Sequence, residues 1–180
     1  MKLVGRSCFL CLLLTVMIMI IPKTVLAQEF TLEQKNDSLS YLVLKTGNNY
    51  HRWTLNFPVY QFCTGDVDGD GLVDALVGVV KTTRFDPQVA RRLFIFKNYR
   101  GRIRALWMGS RLGGILEDFQ FVNGKVYTLQ STTDGKYVVL RHQWRKFGLG
   151  AEEFLVKGVS RQEALEVFDK LKPSFPLFFP

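Results

Sequence analysis

Four aspartates are closely spaced in a nine-residue segment of the chain, at Asp66, Asp68, Asp70 and Asp74. Carboxylates this close repel one another unless a cation neutralises them, and Ca²⁺ accepts about six to eight oxygen ligands in flexible geometry. Glycines stand at positions four and six of the segment, where glycine allows the backbone to turn sharply around an ion. The spacing therefore predicts a Ca²⁺ loop in which the Leu72 carbonyl is the ligand at position seven.

The aspartate loop differs from an EF-hand loop at its end. An EF-hand would place a bidentate glutamate at position twelve, and that position here is Val77. Residues 75–80 read ALVGVV, which predicts a strand. An ordinary solvated turn is the alternative interpretation, because Asp and Gly are also common turn residues.

The flanks of the loop carry further information. Residues 62–78 read FCTGDVDGDGLVDALVG, and this segment resembles the FG-GAP (VCBS-like) repeat of integrin-type β-propellers. In that family the calcium loop joins two neighbouring strands of a propeller blade, and the ion is structural. The resemblance implies blade-like sheets stabilised by Ca²⁺. Only one copy of the repeat is recognisable in the sequence, so the expected architecture is an incomplete propeller.

The first residues are typical of a secretory signal peptide. Lys2 and Arg6 precede an apolar run over residues 8–21, and residues 25–27 read VLA, a small-x-small cleavage signal. The apolar run is shorter than the ~20 residues that a membrane-spanning helix needs. We therefore expect residues 1–27 to be removed on export, leaving a secreted or periplasmic protein without a stable membrane span. An uncleaved signal anchor is the alternative.

Composition limits the classes of partner. After loss of the predicted signal peptide Cys63 is the only cysteine, so no intramolecular disulfide can form, and a lone cysteine beside Phe62 is predicted to be a small buried hydrophobe. The formal net charge of +8 falls to +5, because three of the 24 basic residues lie in residues 1–27. This modest charge favours acidic partners. With no recognition motif and an exported chain, it argues against nucleic acid.

The segment from residue 28 to 180 is predicted to be a single, mainly β domain. Residues 28–40 are polar and are expected to be loosely ordered at first. Asn123-Gly124 and Thr133-Asp134-Gly135 stand between alternating apolar segments and predict two hairpins. The strands form an antiparallel meander, predicted at residues 41–44, 58–62, 74–81, 92–97, 102–107, 119–122, 125–129, 129–132 and 136–140.

The C-terminal part changes from strand to helix. Ser160 and Glu163 form a capping box, and apolar residues follow at helical spacing, which predicts a helix over about residues 161–172 that Pro173 ends. The chain has room for about three blades of roughly 40–50 residues, whereas closed propellers use about four to eight. We therefore expect an open stack of propeller-like sheets, covered by this helix and the apolar tail that follows it. An exposed docking tail is the alternative.

A basic stretch follows the loop in sequence. Arg102 and Arg104 share one face of a predicted strand, with Trp107 close by. Guanidinium groups bind carboxylates and sulfates bidentately, and tryptophan stacks on sugar rings. These three residues are the candidate ligand-binding set. The alternative interpretation is a solvated strand face and a core tryptophan.

The sequence favours a binding protein over an enzyme. It contains no Gly-x-Ser-x-Gly, no His-Glu-x-x-His and no phosphate-binding glycine loop. Two hypotheses follow: an exported, non-catalytic, calcium-stabilised module that recognises a protein or an acidic glycan, and a small secreted hydrolase or lyase acting on an acidic glycan.

Overall fold

Alternating apolar residues produce an antiparallel β fold in the part of the chain that the computed structural model describes, residues 27–84, 86–109 and 112–172. These residues contain eleven strands in three sheets, followed by one helix. Within each sheet the strands pair in chain order, as in a meander. The predicted fold class, a mainly β stack of blade-like sheets with one C-terminal helix, is confirmed.

The first sheet begins earlier than the sequence suggested. It consists of strands β1 (Gln28–Asn36), β2 (Leu39–Thr46) and β3 (Asn49–Leu55). The expectation that the N-terminal residues are loosely ordered is wrong, because Phe30 and Leu32 alternate with polar residues and pack into the core beneath β2. Glu29, Thr31 and Glu33 lie on the opposite face of the strand.

The second sheet contains the aspartate loop. Its strands are β4 (Val59–Gly65), β5 (Asp74–Thr83), β6 (Asp86–Tyr99) and β7 (Arg102–Met108). Both faces of β5 and of the middle of β6 are buried, as predicted for a central strand. The reason is that this sheet lies between the other two, with one hydrophobic core on each side.

The third sheet follows the predicted hairpins. Its strands are β8 (Ile115–Val122), β9 (Lys125–Ser131), β10 (Tyr137–Arg145) and β11 (Gly148–Val159). Asn123 and Gly124 have φ angles of 49° and 75°, the values that a tight two-residue hairpin turn requires. Strand β11 forms one edge of this sheet, and its side chains are largely exposed.

A C-terminal helix covers the third sheet. Helix α1 (Arg161–Asp169) begins with the predicted capping box, in which Ser160 and Glu163 exchange hydrogen bonds. Ala164 and Phe168 pack against Leu129 and Val139 of the sheet. The helix ends at Asp169 rather than near residue 172, because the next turn tightens to i→i+3 hydrogen bonds. The predicted apolar tail, residues 173–180, lies outside the described residues.

No helix in the described part of the chain has both the length and the apolar character that crossing a membrane requires.

A buried polar network lies inside the third sheet. The Nε2 atom of His142 is 2.8 Å from the Thr128 hydroxyl oxygen, which also accepts a hydrogen bond from the Gln130 amide. Only 2% of His142 is exposed, and this burial lowers the pKa of its imidazole from 6.5 to about 4. The histidine is therefore neutral in the folded protein at neutral pH.

We expect this network to make the fold sensitive to acid. Between pH 6.5 and 4 the unfolded chain binds a proton at His142 that the folded chain excludes, so stability falls as the pH falls through this window. The full loss of unfolding free energy from this group is about 3 kcal/mol. His142→Gln keeps a hydrogen-bonding side chain but cannot titrate, so its unfolding free energy should lose this part of the pH dependence. Urea unfolding of both proteins at pH 7 and pH 4.5 tests this, and equal pH dependences would contradict it.

Candidate metal centre and adjoining basic groove

The aspartate loop is held at both ends by the second sheet. It connects β4 to β5, whose last paired residues are Gly65 and Asp74. Within the loop, Gly69 and Gly71 have φ angles of 76° and 82°. Residues other than glycine rarely adopt these φ values. The two glycines therefore allow the backbone to fold back over the carboxylates of the loop.

Backbone amides hold the loop carboxylates in place. The Gly69 and Gly71 N–H groups donate to the two oxygens of Asp66, at 2.7 and 2.9 Å. The Leu72 N–H donates to Asp70 Oδ1 at 2.9 Å. These short hydrogen bonds organise the loop around its acidic side chains.

Asp74 is the most buried acid of the loop. It is 0% exposed, its Oδ2 accepts a hydrogen bond from the Val67 N–H at 3.0 Å, and its Oδ1 has no hydrogen-bond partner. Burial raises the pKa of this carboxyl to about 7. A buried acceptor without a partner costs free energy unless a cation or a donor satisfies it. The unpaired oxygen therefore marks a place where a cation would bind favourably.

Three of the predicted ligands, Asp74 among them, lie close together in the loop. One carboxylate oxygen each from Asp66, Asp68 and Asp74 lies within 4.8 Å of the other two. Two oxygens bound to one Ca²⁺ at about 2.3–2.6 Å can be no more than about 5 Å apart. The three residues thus form a cluster that could hold a metal ion. Asp70 is not part of this group, and Leu72 stays a ligand predicted from sequence.

A lysine that the sequence reading missed contacts the loop. The Lys97 ammonium on β6 contacts Asp68 Oδ2 and lies 2.6 Å from Asp70 Oδ2. Partial burial acts to lower the pKa of Lys97, but the contacts with the two aspartates raise it to about 12. The lysine is therefore a positive charge held against two of the predicted metal ligands.

Two further side chains form a clamp that joins the loop to β1 and β6. The Gln28 side chain donates from Nε2 to the Val73 carbonyl at 2.8 Å, and its Oε1 accepts from Asn98 Nδ2 at 2.6 Å. Neither residue carries a signal in the sequence, because the contacts span 45 and 70 positions. This clamp fixes the residue next to the buried Asp74.

An open groove of about 570 Å³ adjoins the loop. Lys97 and Arg104 are direct cross-strand partners on β6 and β7, and both line the groove. Arg100 and Arg104 each stack on the ring of Tyr99, at 5.3 and 5.2 Å. The loop side of the groove is formed by Asp70 and Leu72. The structure thus joins two sites that the sequence suggested separately.

The predicted ligand-binding residues fall into two environments. Arg102 and Arg104 are exposed on one face of β7, and Arg104 lines the groove. Trp107 is only 9% exposed and packs between the second and third sheets, with its ring against Gly148. Its expected stacking role is therefore not supported by its position, and Trp107 acts as a core residue.

The cysteine is placed as a packing residue. Burial raises the pKa of the Cys63 thiol to about 12, so the thiolate that a nucleophile requires is disfavoured. Both histidines make their hydrogen bonds with other residues. His51 accepts one from the Ile103 N–H, and His142 is hydrogen-bonded with the Thr128 hydroxyl. Cys63 is partly buried and packs against the second core, so the structure supports the predicted packing role, with less complete burial than expected.

Comparison with known proteins gives no relationship to build on: no protein-family model matches the chain, and no curated protein matches it.

Proposed function

We propose that the protein is an exported, non-catalytic binding module whose aspartate loop is stabilised by one Ca²⁺. Two observations carry this proposal: the Oδ1 of the fully buried Asp74 has no partner, and the Asp74 carboxylate forms a cluster with those of Asp66 and Asp68. A structural cation would satisfy this oxygen and neutralise the repulsion among the acids. The FG-GAP-like sequence of residues 62–78 supports the same assignment.

The donor set favours Ca²⁺ over other metals. The candidate ligands Asp66, Asp68, Asp70, Asp74 and the Leu72 carbonyl are all oxygens, which suit hard cations. Mg²⁺ demands near-ideal octahedral geometry and keeps several waters, whereas Ca²⁺ accepts irregular protein ligands. A glycine-rich loop with several carboxylates therefore suits the larger ion.

The groove supports an acidic ligand. Arg100 and Arg104 present guanidinium groups beside Tyr99, and these groups bind carboxylates and sulfates in planar, two-bonded geometry. An acidic glycan or an acidic protein segment could supply such groups. A binding panel of sulfated glycans, uronic acid glycans and acidic peptides distinguishes these partners, with Arg104→Gln as the variant expected to reduce binding.

The proposed location outside the cytoplasm rests on the sequence of residues 1–27. Their basic start, apolar run and VLA cleavage signal support export and cleavage before Gln28. N-terminal sequencing of the exported protein tests this directly.

The acid in the groove argues for binding rather than hydrolysis. Partial burial acts to raise the pKa of Asp70, but hydrogen bonds from Lys97 and the Leu72 N–H hold it below its usual value. A general acid needs the opposite shift. Asp70 is therefore unsuited to donate a proton to a glycan, and the glycan hydrolase or lyase stays the alternative to the proposed binding module.

Calcium is expected to raise the melting temperature of the protein. A ligand that binds only the folded state adds about 2.7 kcal/mol at a hundredfold excess over Kd, which corresponds to a rise of about 5–10 °C for a chain of this size. Thermal melts of metal-free protein with and without millimolar CaCl₂ measure this shift. MgCl₂ at the same concentration is the control for ionic strength and should give a smaller rise. Superimposed melts with and without CaCl₂ would count against the proposal.

A further inference from the structure

Lys97 contacts two of the carboxylates that are predicted to bind calcium. Its ammonium contacts Oδ2 of Asp68 and Oδ2 of Asp70, while Oδ1 of each residue accepts a backbone N–H from within the loop. The oxygens that face away from the loop backbone are therefore the ones paired with the lysine. A calcium ion bound at these oxygens would lie close to the ammonium, and the repulsion between the two cations makes them compete for the site.

The lysine stands between the loop and the groove. It is the direct cross-strand partner of Arg104, so both side chains leave the same face of the second sheet. Lys97, Arg100 and Asp70 all line the groove. A lysine side chain has a flexible four-carbon stem, so its ammonium can turn from the carboxylates toward the groove without movement of the strand.

The balance of charge in the groove depends on where this ammonium lies. While Lys97 is paired with Asp68 and Asp70, its charge is compensated. Once it leaves them, three positive side chains, those of Lys97, Arg100 and Arg104, face the groove together. This arrangement complements an oxyanion such as a sulfate or carboxylate group.

We propose that Lys97 couples the two sites: Ca²⁺ displaces its ammonium from Asp68 and Asp70, and the released ammonium completes an oxyanion site with Arg100 and Arg104. This proposal rests on the calcium site proposed above. By linkage, Ca²⁺ then raises the affinity for the oxyanion, and the oxyanion raises the affinity for Ca²⁺ by the same factor. In the absence of the metal, Lys97 acts as an internal counter-cation for the loop.

Removal of the lysine charge should strengthen calcium binding. Lys97→Gln removes the competing ammonium, and the Ca²⁺ dissociation constant measured by calorimetric titration should fall by about tenfold, within the usual 5–150-fold range for coupled sites. Lys35→Gln removes the same charge from an exposed position seven residues, or about 23 Å, along β1 from Gln28. It should change the constant by less than about twofold, because exposed charges more than a Debye length apart are screened. Unchanged or weaker binding by Lys97→Gln, with normal binding by the parent, would overturn the coupling but not the calcium site. No binding by the parent would overturn both.

The coupling itself is measured with inorganic sulfate as the probe. Chemical shifts of the Arg104 guanidinium report sulfate binding to protein freed of metal and to protein saturated with Ca²⁺. In the parent, Ca²⁺ should raise sulfate affinity by about tenfold. In Lys97→Gln, Ca²⁺ should raise sulfate affinity by only about twofold, because the electrostatic attraction of the bound ion then acts without the released ammonium. An equal rise in both proteins would show that Lys97 takes no part. Acetate in place of sulfate distinguishes a carboxylate-selective groove from a sulfate-selective one.

A measurement on the parent protein avoids dependence on variant folding. The ammonium of Lys97, held by two carboxylates, should give a protected ¹H–¹⁵N signal in the metal-free protein. Addition of CaCl₂ should abolish that protection, because the ammonium becomes mobile and solvated. A Lys97 signal that stays protected while Ca²⁺ binds would contradict the proposal.

Discussion

The Asp74→Asn variant is expected to lose calcium binding while keeping its fold. Asp74 is the one loop acid that is fully buried, and its Oδ1 has no partner in the described structure. Asparagine has the same shape and keeps an oxygen for the Val67 N–H, but it removes one ligand charge. Affinity for Ca²⁺ should fall by about two orders of magnitude or more, because ligand charge sets calcium affinity in such loops. Competition with a fluorescent calcium chelator measures the change.

The same substitution should not weaken the metal-free protein. One oxygen of Asp66 and one of Asp68 lie within 4.8 Å of an Asp74 oxygen, so these carboxylates are candidates to accept hydrogen bonds from the new amide. Loss of a buried, unpaired charge should leave the unfolding free energy equal or raise it by about 1 kcal/mol. Asp37→Asn, in the exposed turn after β1, is the matched control for charge. It should change neither the Ca²⁺ affinity nor the unfolding free energy. Calcium affinity as strong in Asp74→Asn as in the parent would refute the assignment of this site.

Truncation of Phe168 is expected to be the most destabilising single change on the helix. Phe168 is 1% exposed and packs with Ala164, Leu129 and Val139 in the core between the helix and the third sheet. Replacement of a buried phenylalanine by alanine costs about 3–5 kcal/mol, a large part of the roughly 5–15 kcal/mol that stabilises a domain. Urea unfolding of Phe168→Ala measures this loss.

A control on the same helix separates packing from helix propensity. Glu166 is exposed and two residues away, so Glu166→Ala should change the unfolding free energy by less than about 0.5 kcal/mol. If Phe168→Ala also unfolds at the parental midpoint, the helix is not part of the cooperative fold. The docking interpretation of the C-terminal segment would then gain support.

The features that the sequence predicted correctly are encoded locally. The hairpin at Asn123-Gly124 requires positive φ angles, and few residue pairs adopt them as readily. The capping box of Ser160 and Glu163 likewise depends on residues three apart. In each case the side chains that specify the structure lie within a few positions of the backbone that they control.

Strand β1 was missed because a distant partner stabilises it. Polar residues predominate in this segment, so its composition suggested a loose chain end. Phe30 pairs with Leu44 on β2 and is buried in the first core. A weak alternation of apolar residues becomes a strand only when an adjacent strand offers both hydrogen bonds and a core.

Two site residues depend on strand register, which the sequence does not specify. Lys97 reaches Asp68 across 29 positions only because β5 and β6 pair as they do. Trp107 joins the second core because of a shift in the pairing of β6 with β7, between Ile95 and Phe96. On an uninterrupted strand Trp107 would share the face of Ile103, which packs into the first core. An irregularity of one residue therefore changes which core the tryptophan enters.

Calorimetric titration of the metal-free parent protein with CaCl₂ tests the central claim most directly. We expect saturable binding of one Ca²⁺ per chain, through the loop that carries Asp66, Asp68, Asp70 and Asp74, and a strongly reduced response in Asp74→Asn. The absence of saturable binding at millimolar CaCl₂ would contradict it.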